Sequence, residues 1–417
     1  MSSFVIRGGC PLQGSLRVHG AKNSVLPILA ATILSARESV IHNCPHLKDV
    51  DSSVRILRHL GCKAEHTGDT VFVDSGPMNR CDIPDSLMRE MRSSVVFLGA
   101  ILARCGEAVM SFPGGCELGP RPIDLHLQAL RELGTEIQES SGNLICQTAA
   151  LRGREINLSF PSVGATENIM LAAGAAEGVT CITNAAREPE IEDLQAFLNT
   201  MGGRVSGAGS STITIEGKRP WRDAEHSIIP DRIVASTLMC CVGIAGGDVV
   251  LEKVQPSHIR TVISVLSEAG CDIDVRDTSM RISRTRPLRA MRPIRTLPYP
   301  GFPTDSQAPV MAVATRAEGT TVFVENMFES RFRHVGELTR MCADIKVEGR
   351  VAVVCGVSRL CGSRVNSTDL RGGAALVVAG LGAEGETVVT GLQHIERGYE
   401  SLHLMLGSVG ADIHRED

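Results

Sequence analysis

One phrase recurs six times along this chain: an apolar-periodic helix that ends in Leu-Gly or its equivalent and runs straight into an alternating strand. The copies are Val54–Glu65, Leu127–Ile137, Leu194–Val205, Val262–Ile273, Val335–Ile345 and Leu402–Ile413. Their helix-ending residues fall at 61, 134, 202, 270, 342 and 410, in steps of 73, 68, 68, 72 and 68. Glycine, the residue that best accepts the left-handed backbone closing a helix, fills five of those positions; Cys342 takes the sixth. A second phrase keeps the same rhythm. Ala176-Glu177-Gly178, Ala317-Glu318-Gly319 and Ala383-Glu384-Gly385 each end a small-residue helix and start a strand. The helices before these turns, such as Leu171–Ala176 and Ala374–Ala379, are apolar on every side, which predicts burial. Repeats of this length are too long for a solenoid, whose units run to about 20–50 residues. Each unit therefore supplies a buried helix, an outer amphipathic helix and strands between them. Three units make one α/β domain, and 417 residues hold two similar domains meeting at a cleft. The midpoint falls near Ile229-Pro230.

Composition narrows the function classes. A net charge of −5 argues against a general nucleic-acid binder but leaves room for a local basic cleft. The N-terminus lacks the basic-then-apolar pattern of a secretory signal, and no run approaches 18 uninterrupted apolar residues. A cytoplasmic protein with no membrane partner is expected. The 14 cysteines are scattered with none in CxxC spacing, so reduced thiols are expected and a zinc ribbon is not. Neither HExxH nor GxxxxGK[ST] occurs, and no cluster has metal-ligand spacing.

The stretch Ser111–His126, SFPGGCELGPRPIDLH, sets a single thiol, Cys116, among three glycines and ahead of Arg121 and Pro122. Pro122 suits the first residue of a helix with Asp124 in its first turn. Cys116 there is either a small buried hydrophobe or a reactive thiol beside an anion site. Charged residues recur beside the starts of the buried helices: Lys22 and Asn23, Arg92, Asp305, and Asp369 with Arg371. Ser162, Val163 and Gly164 open another such helix, whose free N–H groups form a ready anion site. Glu329, Arg331, Glu396 and Arg397 lie in loops before the outer helices. Singly, each has a plain structural alternative; Asp305, for example, reads equally as a helix N-cap and as a base. Together, cations at corresponding points of repeated units predict a positively lined cleft that closes on phosphate groups held by protein cations.

These residues sit within longer phrases: GSLRVHGAKN, HLKDVDSS, MRSS, GGCELGPRPIDLH, SVGATENIM, NAAREPEI, LPYPGFPTD, FESRFRHVGEL, TDLRGGAAL and HIERGYE. In that combination and order the chain resembles the UDP-N-acetylglucosamine 1-carboxyvinyltransferase family, enolpyruvyl transferases of peptidoglycan synthesis. The likeness spans essentially the whole chain. The related 5-enolpyruvylshikimate-3-phosphate synthases share the fold and reaction type but are not expected to have the loop cysteine or GPRPIDLH. The resemblance implies two domains of three βαβαββ units each, an inverse α/β barrel pair, with boundaries at 22–229 and at 1–21 with 230–417.

It further implies that phosphoenolpyruvate meets Lys22, Asn23, Arg121 and Arg397, with Arg92 at the closing cleft. Arg121, Pro122, Ile123, Asp124 and Leu125 match the segment holding the uridine, and Ser162, Val163 and Gly164 the turn receiving the diphosphate. Asp305 matches the carboxylate beside the sugar 3-hydroxyl, and Met327 a contact to the sugar nucleotide. Arg331, Asp369 and Arg371 match supporting polar residues. Cys116 matches a loop thiol that acts as general acid and can carry a covalent pyruvate-derived adduct, which is also the thiol that an epoxide such as fosfomycin would attack. No resident cofactor or metal is implied. Position 160 is Phe and 161 Pro where some members carry a lysine, so a phosphate contact there is not carried over. Two other readings stay open: an enolpyruvyl transferase for a different alcohol, and a catalytically silent UDP-sugar-binding regulatory paralogue.

Overall fold

The computed structural model describes residues 2–111 and 123–417. The chain divides into two compact units, one holding residues 20–229 and the other 2–19 with 230–417. Each has its own apolar core. The class is α/β, with many small sheets instead of one large one.

In the 20–229 unit, three helices are wrapped by the chain itself: Lys22–Ala31, Phe97–Cys105 and Val163–Ala173. Their surfaces are largely apolar, so Val25, Ile28 and Leu29, and likewise Ala165 and Ile169 through Ala173, are fully enclosed. Burying side chains of that size contributes about 1.5–3 kcal/mol each for the larger ones. The amphipathic helices Lys48–His59, Asp124–Glu132 and Pro189–Thr200 lie outside them, one apolar stripe inward. Three four-stranded sheets follow one plan, in which a short edge strand runs parallel to a central strand and two antiparallel strands complete the layer. In the first of these, the edge strand is Ala224–Ser227, paired in parallel with Glu38–His42. The end of the unit thus returns to close onto its beginning.

The second unit repeats the plan with buried helices Arg232–Ala245, Thr304–Ala314 and Leu370–Leu381, and outer helices Arg260–Glu268, Val335–Arg340 and Leu402–Ser408. Two of its strands come from the far N-terminus. Leu12–Arg17 runs parallel to Gly247–Glu252, and Ser3–Arg7 lies between Glu386–Thr390 and Asp412–Glu416. Local periodicity does not foretell that partnership.

All six helix-ending positions carry a left-handed backbone. Gly61, Gly134, Gly202, Gly270 and Gly410 have φ between 95° and 106°, and Cys342 has φ 71°. Its amide bonds Thr339 O and the next amide bonds Leu338 O, the same closure that Gly61 and Cys62 make on Arg58 and Leu57. One helix start differs from expectation. The second outer helix of the 20–229 unit begins at Asp124, because Ile123 sits outside the helical region at φ −97°, ψ 13°. Pro122 lies outside the described residues. Among the described residues no helix is long and apolar enough to cross a membrane.

Candidate active site

In the 20–229 unit, Lys22 is the first residue of a buried helix, where the residue is 8% exposed and its ammonium needs a counter-charge. Asp49, in the first turn of the neighbouring outer helix and 1% exposed, supplies it at 2.5 Å. Asn23 follows, half-buried. Ser24, next along, donates its hydroxyl to Asp193. The other oxygen of that carboxylate meets His226 Nε2 at 2.8 Å, and Ile229 N donates to Asp193 at 3.3 Å. Lys22 and Asn23 therefore start a helix whose first turn is tied down by buried polar groups.

A second cluster in this unit surrounds the start of Val163–Ala173. Ser162 caps that helix, its Oγ accepting from Ala165 N at 3.3 Å. A side chain at Gly164 would come within 2.9 Å of the His126 ring, so only glycine allows the imidazole to lie against this helix start. Asn168, one turn on, donates to His126 Nδ1 at 2.8 Å and to Val95 O at 3.0 Å, while its carbonyl accepts from Gly99 N at 2.7 Å. With both amide hydrogens used, Nδ1 must be the acceptor and Nε2 carries the proton. Burial pushes the imidazole down to about 4, against a modest opposing pull from Asp124, so the ring is neutral at ordinary pH. Ile123 is buried, Leu125 half-buried and Asp124 exposed on the same helix start. Phe160 is 42% exposed, with its carbonyl accepting from Ser162 N.

In the other unit the groups converge on one carboxylate. Asp305 lies in the first turn of Thr304–Ala314, yet that helix has no side-chain cap at Pro303. Arg331 Nη2 instead donates to Asp305 Oδ1 at 2.6 Å and to Thr304 O at 3.1 Å. Arg371 Nε stands 3.4 Å from the same oxygen, and its Nη2 donates to Oδ2 at 3.5 Å. Both guanidiniums are buried, at 3% and 5% exposure, while the Asp305 side chain keeps 28%. Arg371 is costly to bury, and the anionic Asp305, aided by Tyr399 and Asp231, more than offsets that cost and raises its hold on the proton. Tyr399 in turn accepts from Arg371 Nη1 at 3.3 Å and shares a hydrogen with Thr237 Oγ1 at 2.8 Å. Asp369 caps its own helix, accepting from Arg371 N at 3.0 Å and Gly372 N at 2.9 Å. Arg397 is half-buried in the loop two residues before Tyr399.

Glu325 is the residue that local pattern least foretells. It is 1% exposed and accepts from Thr296, from Thr304, and from the amides of Met327 and Phe328 at 2.8 and 3.1 Å. It thereby fixes the Met327 loop against the turn bearing Asp305. His126 and Asp49 also lay unassigned, although both sit inside phrases already singled out, GPRPIDLH and HLKDVDSS. Cys116, Arg121 and Pro122 lie outside the described residues, as does the side chain of Arg92. A cavity of about 730 Å³ lined by Cys105, Glu107, Glu136, Thr148, Arg152 and Arg154 shares no residue with these clusters.

Comparison with known proteins bears on what such clusters serve. The family described as EPSP synthase (3-phosphoshikimate 1-carboxyvinyltransferase) matches residues 6–406. A UDP-N-acetylglucosamine 1-carboxyvinyltransferase 2 of Caldanaerobacter subterraneus subsp. tengcongensis is 55% identical, over all of both chains. The chain belongs to the UDP-N-acetylglucosamine 1-carboxyvinyltransferase family. A further member, numbered 1, from the same organism is 46% identical over all of both chains. That of Symbiobacterium thermophilum is 49% identical over 99% of this chain and 95% of its own. Among solved structures, the enolpyruvyl transferase NikO from Streptomyces tendae superposes with a TM-score of 0.89 at 26% identity, over 99% of this chain and 98% of its own. EPSP synthase from Acinetobacter baumannii shares the fold with a TM-score of 0.77 at 20% identity, over the whole of both chains. The two units of three βαβαββ repeats are thus the enolpyruvyl transferase fold.

Proposed function

We propose that the protein transfers the enolpyruvyl group of phosphoenolpyruvate to the 3-hydroxyl of UDP-N-acetylglucosamine and releases phosphate, the first committed step of peptidoglycan synthesis. The observation that carries the reading is Asp305: a carboxylate gripped by two buried guanidiniums, with part of its surface exposed. A group so held keeps its orientation while its exposed face meets a reactant.

Phosphoenolpyruvate resists attack by an alcohol until its methylene carbon is protonated, which turns the adjacent carbon into an oxocarbenium-like electrophile. Cys116 supplies that proton. Asp305 accepts the proton of the sugar 3-hydroxyl as its oxygen bonds to the electrophilic carbon. The tetrahedral adduct then loses phosphate and a methyl proton, restoring the enol ether. Lys22, Asn23, Arg92, Arg121 and Arg397 bind the carboxylate and phosphate and stabilise charge as it shifts. Arg121 through Leu125 hold the uridine. The turn at Ser162, Val163 and Gly164, with the His126 Nε2–H beside it, receives the diphosphate. Met327 touches the sugar nucleotide, while Arg331, Asp369 and Arg371 hold the Asp305 side of the site. No resident cofactor enters these steps.

Release of inorganic phosphate from phosphoenolpyruvate, with and without UDP-N-acetylglucosamine, tests the reading. Release that requires the nucleotide sugar and collapses in Cys116→Ser supports it. No release from wild type that still binds UDP-N-acetylglucosamine would leave a regulatory sugar-nucleotide binder instead.

A further inference from the structure

The enzymatic reading leaves one pair of thiols unused. Cys342 is exposed at the end of the Val335–Arg340 helix, in the left-handed conformation that five glycines adopt at the corresponding points. A residue with a side chain is strained there, and here the side chain is a thiol. Cys361 faces it from the short strand Leu360–Cys361. Its amide donates to Met341 O at 2.9 Å, and Ser363 Oγ donates to Arg340 O at 3.1 Å, so two bonds hold the segments side by side. The neighbouring Cys342 thiol, ahead of a burial cost, raises Cys361. Those bonds set Cys342 and Cys361 on neighbouring backbone segments, and a disulfide between them needs a Cα spacing of roughly 4.4–6.8 Å. Other thiols differ. Cys44, Cys146, Cys240 and Cys241 are buried, and burial drives each upward, away from the thiolate.

We propose that Cys342 and Cys361 form a reversible disulfide site, closed by exchange with a low-molecular-weight disulfide. The exposed Cys342 thiolate attacks one sulfur of the small disulfide, making a mixed disulfide and expelling one small thiolate. Cys361 gives its proton to solvent and attacks the Cys342 sulfur; the protein S–S bond forms as the second small thiol leaves. Two protein thiols are oxidised by two electrons, and one small disulfide is reduced to two thiols. The bond would fasten the end of the helix after Arg331 to the strand leading toward Asp369, and would restrict the unfolded chain over residues 342–361.

The test uses the full chain incubated with oxidised glutathione, alkylated and digested with trypsin. Cleavage isolates Cys342 in Met341–Lys346 and Cys361 in Leu360–Arg364. A linked pair of these peptides, two hydrogens lighter than their sum, lost with dithiothreitol and absent from Cys342→Gly, is expected. Recovery of the two as separate glutathione adducts, or both as alkylated free thiols, overturns the proposal. Thermal melting gives an independent readout. Oxidation should raise the wild-type Tm by about 3 °C or more and leave Cys342→Gly and Cys361→Ser unmoved. An equal rise in those variants would assign the effect to other cysteines and also overturn it.

Discussion

Asp305 and Asp369 stand at the starts of equivalent helices in neighbouring repeats, yet the fold employs them differently. Asp369 sits just before its helix and spends one oxygen on the amides of Arg371 and Gly372. Asp305 is the second residue of its helix, and its carboxylate is held by Arg331 and Arg371. A shift of two positions along a helix start separates a capping group from a charge held by side chains. Capping satisfies a local need. The Asp305 arrangement does not, since it requires residues 26 and 66 positions away.

The contrast can be broken experimentally. Asp305→Asn should lower kcat about 10²–10⁴-fold while calorimetry still registers UDP-N-acetylglucosamine binding, because the amide keeps the shape but cannot take a proton. Loss of binding in place of loss of turnover would make Asp305 a structural residue like Asp369. Removing the guanidinium tests the other half of the pair. Arg371→Met should cost about 3 kcal/mol in urea unfolding, since a buried charge partner is withdrawn from Asp305 and a hydrogen bond from Tyr399. A change below about 1 kcal/mol would show that the pair is idle.

The two units can be compared through their hidden histidines. Burial pushes His126 in one and His334 in the other down to about 4, the latter against the pull of Asp369. In each case the unfolded state binds the proton more readily than the folded one. Stability is therefore fully present above about pH 6.5 and falls as pH drops from 6.5 toward 4, by about 3 kcal/mol per histidine at most. His126→Asn should remove roughly half of that acid sensitivity in denaturant titrations between pH 7 and 4.5; an unchanged slope would place the effect elsewhere. The smallest effect belongs to the cap. Asp369→Ala should lose about 1 kcal/mol, whereas Asp369→Asn should leave the urea midpoint nearly unmoved, because asparagine caps as well as aspartate. A large loss in Asp369→Asn would mean that its charge acts beyond the cap.

Much of this was legible in advance because it is local. Apolar periodicity marked the buried and outer helices, and the recurrent glycine marked where each outer helix closes. Cys342 was visible as a departure from that rule, and its φ of 71° shows that the backbone kept the rule while the residue broke it. The phrases around Lys22, Asp305 and Arg371 flagged charged residues at helix starts. What stayed hidden were groups whose meaning depends on distant partners. Nothing local sets Asp49 apart; its meaning comes from Lys22, which it meets across two helices. Glu325 and His126 likewise gain theirs only from the hydrogen bonds to Thr304 and Asn168.

By itself, then, the sequence determined the sixfold rhythm, the α/β class, the helix boundaries to within a few residues and the inventory of candidate groups. Those follow from interactions between residues three or four apart in a helix or two apart in a strand. Only the tertiary structure decided which carboxylate meets which guanidinium, that Asp305 meets Arg331 and Arg371 while Asp369 caps its helix, and that Ser3–Arg7 completes a sheet with strands almost 400 residues away. Such pairings arise when the apolar faces of all the repeats are buried together, a long-range condition that no local pattern carries.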